Sequence, residues 1–307
     1  MRILKNSSDF TIYRILKKEC VSGEMIGKKL GISRSAVWKS INKLRNSGIE
    51  VVSGKKGYRV SGERELNPYQ IADITFGQIN EIDEVFYFEE VDSTNEQAKK
   101  YGKPGVLFFA ETQTLGRGRL GRKWESEKGG IYFTLTLKPK LDYSELPKLT
   151  LIAGLSVAET VFGKIKWPND VLIRGKKVCG ILSEIYGEME SPLVILGIGI
   201  NVLNRIPDGL RDYAASLNEF YDASRKTVFE DVIKNFAGYY RMLLDGKWPE
   251  LRKRFVRRCD TIGKLVRVET VSEEIIGVAE DIGEDGSLIV DGRKVYAGDC
   301  IHLRKGE

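Results

Sequence analysis

Gly116-Arg117-Gly118-Arg119-Leu120-Gly121-Arg122-Lys123-Trp124 lies between two apolar stretches of the sequence, residues 105–111 and 131–137. Short apolar runs bounded by glycine are typical of buried strands. Glycine allows a tight loop and a close backbone approach to a ligand, and arginine binds carboxylates and phosphates through paired hydrogen bonds. Trp124 can stack on a flat ring. We therefore predict an anion-binding loop. A flexible basic surface loop or an RNA-binding tract is the alternative.

The segment after this loop predicts strands with polar groups at their ends. Lys166-Trp167-Pro168-Asn169-Asp170 follows an alanine- and leucine-rich helix at about 147–162 and precedes an apolar strand at 171–173. The turn that ends at Lys177 leads into a second strand, 178–184. A carboxylate and several amines near strand ends suit a magnesium–nucleotide site. Composition alone leaves open that these are ordinary solvated turns.

The apolar strand 193–201 contains alternate glycines, Gly197 and Gly199. Alternate residues of a strand share one face, so this face lacks side chains and a ligand or another backbone can approach it. Tight packing within the sheet is the other interpretation. Ser93-Thr94-Asn95-Glu96 resembles a capping box at the start of a helix.

The first 62 residues indicate a DNA-binding winged helix. Apolar residues recur at helical spacing in three segments, with Ser22 and Ser33 or Ser35 as predicted N-caps and Gly31 between the second and third helices. Two helices joined by a glycine turn match a helix-turn-helix, whose second helix enters the major groove. Two short strands then flank a turn with a basic tip. The predicted DNA contacts are Ser33, Arg34, Ser35, Trp38, Lys39 and Lys43 on the helix, and Lys55 and Lys56 on the wing.

Charge distribution supports that interpretation. Residues 1–62 hold 14 Lys and Arg against 4 Asp and Glu, a net charge of +10, whereas the remainder has a net charge of −4. A basic domain on an acidic body places the polyanion partner at the N-terminus. A three-helix packing module with a solvated basic face is the alternative.

Composition excludes several other classes of protein. The single histidine, His302, lies five residues from the C-terminus, so catalysis by a Ser-His-Asp or Cys-His site is not expected. The four cysteines lie far apart without a CxxC pair, which argues against disulfides and zinc cages. No apolar run is long enough for a bilayer, and no secretory signal is recognisable at the N-terminus. We therefore expect a cytoplasmic protein without a membrane partner.

Four motifs taken together resemble the signature of the biotin protein ligases: STNEQA, ETQTLGRGRLGRKW, KWPNDVLIRGKKVCGIL and GIGINV. The resemblance covers roughly residues 85–205, and the winged helix and small C-terminal domain are similar to those of the bifunctional class that also represses biotin genes. It implies ATP and Mg as cofactors, biotin as substrate, biotinyl-5′-AMP as intermediate and corepressor, and a carboxyl carrier protein as biotin acceptor. It further implies operator DNA as a partner and a homodimer promoted by biotinyl-5′-AMP.

The resemblance also implies residue roles. Arg117, Arg119, Lys177 and Asp170 would be catalytic, with Asp170 as a possible magnesium ligand. The residues that would bind biotin are Ser93, Thr94, Asn95, Gln113, Arg117, Gly118, Arg119, Lys177 and Gly180. Those that would bind ATP or the adenylate are Arg117, Arg119, Arg122, Trp124, Lys166, Asn169, Lys177, Gly197, Gly199 and Asn201.

The expected architecture is α+β and multidomain: a winged helix-turn-helix at 1–62, a mixed α/β catalytic domain at 63–258, and an SH3-like β-barrel at 259–307. Residues 63–68 are predicted to be a linker. Asp-Gly turns between apolar runs support the small β domain, which by itself could equally be an adaptor. Two rivals remain: a transcription factor that senses biotin or its adenylate without transferring it, and a lipoate ligase. The loop at 116–124 favours biotin over lipoate, and its cations favour catalysis over sensing.

Overall fold

The computed structural model describes residues 1–188, 192–270 and 272–303. The last four residues of the predicted third domain, 304–307, lie outside the described residues. The chain divides into two compact units, one of residues 1–87 with 105–107 and one of residues 88–104 with 108–307. The domain boundaries at 62 and 258 remain predictions.

The first unit begins with the predicted three helices and hairpin. Its elements are β1 (Arg2–Leu4), α1 (Ser8–Lys18), α2 (Gly23–Leu30), α3 (Arg34–Asn46), β2 (Ile49–Gly54), β3 (Gly57–Glu63), α4 (Pro68–Gln78) and the start of β4 (Glu84–Val91). Ser22 caps α2 through its hydroxyl, as predicted, and of the two predicted serines Ser33, not Ser35, caps α3. Gly31 ends α2 at a φ of 67°, a left-handed conformation that favours glycine.

The predicted linker at 63–68 is wrong. Glu63 belongs to β3 and accepts a hydrogen bond of 2.8 Å from the Tyr13 hydroxyl. Leu66 and Asn67 are fully buried, and Asn67 caps α4 through its side-chain oxygen. The polar composition that indicated a linker reflects hydrogen-bonding roles in a packed turn, and Pro68 occupies the first helical turn, where its missing N–H costs nothing.

The second unit is a mixed sheet covered by helices. It contains the end of β4, α5 (Thr94–Tyr101), most of β5 (Val106–Gln113), β6 (Ile131–Leu137), α6 (Lys148–Thr160), β7 (Lys164–Lys166), β8 (Asp170–Ile173), β9 (Lys176–Tyr186), β10 (Leu193–Ile200), α7 (Arg225–Leu244) and α8 (Trp248–Arg258). The strand order is β5-β6-β10-β9-β8-β7. Helix α6 is apolar around most of its circumference because it packs against both the sheet and α7.

The predicted capping box at the start of α5 is wrong. Ser93 is the N-cap residue, but its side chain makes no capping hydrogen bond. In a capping box the Ser93 N–H would donate to the Glu96 side chain, but it donates to an Asp92 carboxylate oxygen at 2.7 Å. Glu96 pairs with Lys99 and with Arg117, and sequence spacing does not reveal the long-range partner, Arg117.

The C-terminal part of this unit is a small antiparallel sheet. Its strands are β11 (Leu265–Glu269), β12 (Glu274–Ile282), β13 (Leu288–Val290), β14 (Arg293–Val295) and β15 (Asp299–His302), in the order β14-β13-β12-β11-β15. Both predicted Asp-Gly turns are present, with Gly286 and Gly292 at positive φ. The SH3-like barrel stays a prediction. Across the described ranges, none of the helices has both the length and the apolar character that a membrane span requires.

Candidate functional site

A cleft that is partly open to solvent lies over the sheet of the second unit. Strand β10 supplies its floor, α5 and β5 one side, the 116–124 loop its cover, and β8 and β9 the other side. Most of the predicted biotin and ATP residues line it: Ser93, Thr94, Asn95, Gln113, Arg117, Gly118, Arg119, Arg122, Trp124, Asn169, Asp170, Lys177, Gly180, Gly197 and Gly199. Residues from at least five elements thus converge on one cleft.

Two predicted nucleotide residues do not line the cleft. Asn201 is buried and accepts a hydrogen bond of 3.1 Å from Asn204. Lys166 lies in β7, paired in register with Asp170. Conversely, the cleft wall contains six residues that sequence reasoning missed: Leu120, Lys123, Ile181, Leu182, Ile198 and Asp299. Alternation along β9 and β10 would have placed Ile181 and Ile198 on the face opposite Gly180, Gly197 and Gly199, so the sequence did not indicate them. Nothing local signals Asp299, which lies in the C-terminal sheet.

The polar side of the cleft is held by a dense hydrogen-bond network. The Gln113 side-chain oxygen accepts from the Thr94 N–H and from the Thr94 hydroxyl at 2.8 and 3.1 Å, and its amide nitrogen donates to Ser126 at 2.8 Å. The Thr134 hydroxyl lies 2.8 Å from the Thr94 hydroxyl and 2.7 Å from the Asn95 side-chain oxygen. Locked rotamers of this kind fix polar groups for a ring that hydrogen-bonds at several points.

The strand glycines accommodate side chains of the cleft. A Cβ atom at Gly197 would overlap the Asn95 side-chain oxygen, and one at Gly199 would overlap the Trp124 indole. A Cβ atom at Gly180 would lie 2.9 Å from the same indole. The bare face predicted for β10 is therefore the surface on which Asn95 and Trp124 rest.

The loop at 116–124 closes on itself and pairs each of its cations. The Gly118 N–H donates to the Arg122 carbonyl at 2.7 Å, and the Trp124 N–H to the Gly116 carbonyl at 2.9 Å. The cations have the following partners: Arg117 binds Glu96, Arg119 donates to the Asn169 side-chain oxygen at 3.1 Å, Arg122 binds Asp299, and Lys123 binds Glu125 at 2.9 Å. An anionic ligand that binds Arg117, Arg122 or Lys123 would therefore have to displace a protein carboxylate.

Electrostatics in the loop follows from these contacts. The Arg122 guanidinium holds the pKa of Asp299 below its usual value. Burial lowers the pKa of Arg119, which points to a cation in a partly desolvated position. A cation there attracts an anion more strongly than one in bulk water.

Lys177 lies on the wall of the cleft. Its ammonium is 2.7 Å from an Asp170 carboxylate oxygen and 5.4 Å from the centre of the Trp124 ring. The Trp124 indole N–H is buried and has no hydrogen-bond partner among the described residues. Buried donors are nearly always paired, so a ligand atom is a suitable acceptor.

The histidine and the buried cysteines lie outside the cleft. His302 hydrogen-bonds the Thr261 hydroxyl at 3.0 Å, and burial lowers its pKa to about 4. Burial also raises the pKa of the Cys179 thiol, which disfavours a nucleophilic thiolate. The cleft therefore offers cations that can stabilise negative charge. Among the described residues, its wall contains neither histidine nor cysteine.

The first unit presents a separate surface. One face of α3 is buried in the core through Val37, Ile41 and Leu44. The DNA contacts predicted on this helix and at its N-cap, six residues in all, are exposed. Trp38 is 57% exposed, unusual for so large an apolar side chain and typical of a contact surface. Lys55 and Lys56 are exposed at the tip of the β2–β3 hairpin.

Two cations of this surface are already paired. Arg34 binds Glu24 and Lys43 binds Asp9. Within the described ranges, Lys39, Lys55 and Lys56 have no ion-pair partner. These three lysines can therefore contact a phosphate without first leaving a protein carboxylate.

Three family models match successive parts of the chain. An HTH domain matches residues 9–59, the biotin/lipoate A/B protein ligase family matches residues 87–201, and the biotin protein ligase C terminal domain matches residues 261–303. These matches follow the order predicted from the motifs.

Known relatives and a solved structure are similar to this chain over most of its length. The bifunctional ligase/repressor BirA of Bacillus subtilis is 34% identical over 305 residues, covering 92% of this chain and 93% of the relative. The Escherichia coli protein of the same name is 31% identical, over 93% of this chain and 94% of its own. The structure of a biotin protein ligase from Aquifex aeolicus in complex with biotin and ATP aligns with a TM-score of 0.64 at 33% identity, covering 72% of this chain and 98% of that one.

Proposed function

This chain belongs to the biotin protein ligase family, and from that premise we propose that it joins biotin to a lysine of a carboxyl carrier protein at the expense of ATP, and represses biotin genes. The observation that carries the ligase proposal is the cleft in which Arg117, Arg119 and Lys177 face the fixed polar groups of α5 and β5. Transfer of labelled biotin to a carrier domain would test it, and would separate it from a biotin sensor and from a lipoate ligase.

The chemistry has two steps. A biotin carboxylate oxygen attacks the α-phosphorus of ATP, the bond to the β-phosphate oxygen breaks, and biotinyl-5′-AMP and pyrophosphate form. An acceptor lysine nitrogen then attacks the acyl carbon, loses a proton, and AMP leaves. Both steps bring negative charges together, so preorganised cations are the main requirement.

The cleft meets that requirement with three cations. Arg117 and Arg119 would bind the biotin carboxylate and the phosphates, which offsets their repulsion and fixes their orientation. Lys177 would contact the carboxylate and the α-phosphate, held in place by Asp170 at 2.7 Å. Ser93, Thr94, Asn95 and Gln113 would bind the ureido ring, and Trp124 would cover the adenylate.

Magnesium would enter with the nucleotide. Within the described ranges, no group of three or more His, Cys, Asp or Glu residues could hold a metal ion. Mg²⁺ commonly takes one or two protein carboxylates and completes its shell with phosphates and water, and Asp170 on the cleft wall fits that pattern. When bound, the ion would neutralise phosphate charge. The same carboxylate contacts the Lys177 ammonium at 2.7 Å.

The DNA-binding proposal rests on the exposed face of α3 and predicts a matched pair of substitutions. Lys39→Ala should reduce the slope of log affinity against log salt by about one and weaken duplex binding about tenfold, because one phosphate contact is lost. Lys18→Ala, an exposed lysine of α1, is the control. Fluorescence anisotropy with a duplex at several salt concentrations measures both. Equal salt slopes for the two variants would contradict the placement of DNA on α3.

We further propose a homodimer that biotinyl-5′-AMP strengthens. Leu115 precedes the loop that covers the cleft and is 65% exposed. Leu120 lies in that loop and is 70% exposed. An adenylate would partly neutralise the loop and fix these side chains, which lowers the entropy cost of an interface. Linkage then shifts the equilibrium to the dimer, and two recognition helices read a palindrome.

Sedimentation with and without biotin plus ATP tests this coupling. We expect a stronger dimer with both ligands and no such gain in Leu115→Asp, at a residue that does not line the cleft, since a buried charge opposes the interface. Leu210→Asp, at another exposed apolar position of the same unit, should retain the gain. An identical monomer–dimer constant for the unchanged chain in both conditions would refute the coupling and leave the ligase proposal intact.

A further inference from the structure

Four charged side chains form a continuous network beside the cleft. Arg117 of the loop binds Glu96 of α5, the Lys99 ammonium lies 3.0 Å from Glu96, and the same ammonium lies 2.8 Å from Glu184 of β9. We call these four residues the Lys99 network. It joins three elements and contains two cations and two carboxylates, so its formal charge is zero.

The Lys99 network is partly buried, which strengthens its ion pairs. The side chains of Lys99, Glu96 and Glu184 are 23%, 30% and 29% exposed. Networks of ions at reduced solvent exposure are stronger than isolated surface pairs, because screening is weaker and each ion orders the next. The Lys99 ammonium is also the main reason that the pKa of Glu96 lies below its usual value.

One end of the network fixes the floor of the cleft. The Asn95 side-chain nitrogen donates to a Glu184 carboxylate oxygen at 2.9 Å, and the Asn95 side-chain oxygen lies 2.7 Å from the Thr134 hydroxyl. An ionised carboxylate only accepts hydrogen bonds, so Glu184 sets which end of the amide faces it. Lys99 keeps Glu184 beside Asn95.

The other end of the network controls Arg117. To bind an anionic substrate, Arg117 has to leave Glu96. An uncompensated carboxylate at partial burial is costly, and Lys99 is the cation that stays with Glu96 when Arg117 departs. Without Lys99, Arg117 would be the one cation of the network beside Glu96. The substrate would then have to compete more strongly with Glu96 for Arg117.

We propose that Lys99 is a positioning residue for the ligase reaction: through Glu184 it holds the Asn95 amide on the floor of the cleft, and by neutralising Glu96 it frees Arg117 for the anionic end of the substrate. This inference rests on the proposed ligase function. It adds to that function a residue that touches neither substrate nor the reacting atoms.

Steady-state adenylate formation by the full chain tests the inference. Lys99→Met keeps the length and apolar stem of the side chain and removes its charge. We expect the KM for biotin to rise about tenfold, the usual scale for losing a hydrogen bond between charged groups, with a smaller change in kcat. Lys99→Arg should restore most of the lost affinity, because a guanidinium can contact both carboxylates.

The matched control is Lys100→Met on the same helix, at an exposed lysine that binds Asp92. It should leave the KM for biotin near that of the unchanged chain, and thermal unfolding of all variants separates folding from positioning. If Lys99→Met raises the KM for biotin no more than Lys100→Met does, while the unchanged chain is active, the inference alone is overturned. If the unchanged chain forms no adenylate, the proposed function is overturned and the inference with it.

Discussion

Lys177→Ala is expected to slow adenylate formation by about two orders of magnitude or more. The ammonium of Lys177 is preorganised in the cleft by Asp170 at 2.7 Å and by the face of the Trp124 ring. Removing a preorganised donor that meets developing charge typically costs a factor of this size. Pyrophosphate release with biotin and ATP measures the effect directly.

Lys176→Ala is the control for this prediction. Lys176 is the preceding residue of β9, has the same charge, and does not line the cleft. Its rate should stay close to that of the unchanged chain. If both substitutions reduced pyrophosphate release equally, the effect would come from local charge or folding, and Lys177 would lose its assigned role.

Gly197→Ala is expected to weaken biotin binding about tenfold to a hundredfold. The new methyl group would overlap the Asn95 side-chain oxygen, and Asn95 cannot yield freely because Glu184 and Thr134 hold both ends of its amide. Overpacking of a fixed site costs about 1–3 kcal/mol, which corresponds to that range of affinity. Isothermal titration with biotin gives the dissociation constant.

Gly238→Ala provides the comparison, since a methyl group at this position in α7 meets no atom within 4 Å. It should bind biotin as the unchanged chain does, with slightly greater stability because alanine favours the helix. Unchanged biotin affinity in Gly197→Ala would show that the floor of β10 is not part of the biotin site.

The sequence by itself determined the parts of this protein that depend on local pattern. Apolar periodicity, serine caps and Gly31 were sufficient for the helices of the first unit, because caps and left-handed turns are satisfied by neighbouring residues. The strand at 131–137 and both Asp-Gly turns of the C-terminal sheet were predictable for the same reason. The glycine- and arginine-rich loop also identified its own chemistry, since few residue types bind anions in that way.

Only the tertiary structure decided which partners those residues meet. The pairing of Arg122 with Asp299 joins positions 177 residues apart, and the burial of Asn67 in a segment of polar composition depends on how α1 and α4 pack. Glu96 pairs with Arg117 and Lys99 in place of the predicted capping box, and Asn201 does not line the cleft that its motif suggested it would line. Such contacts are set by strand order and by packing between distant segments. The residue type shows which groups can donate or accept a hydrogen bond, but it does not show which partner they meet in the fold.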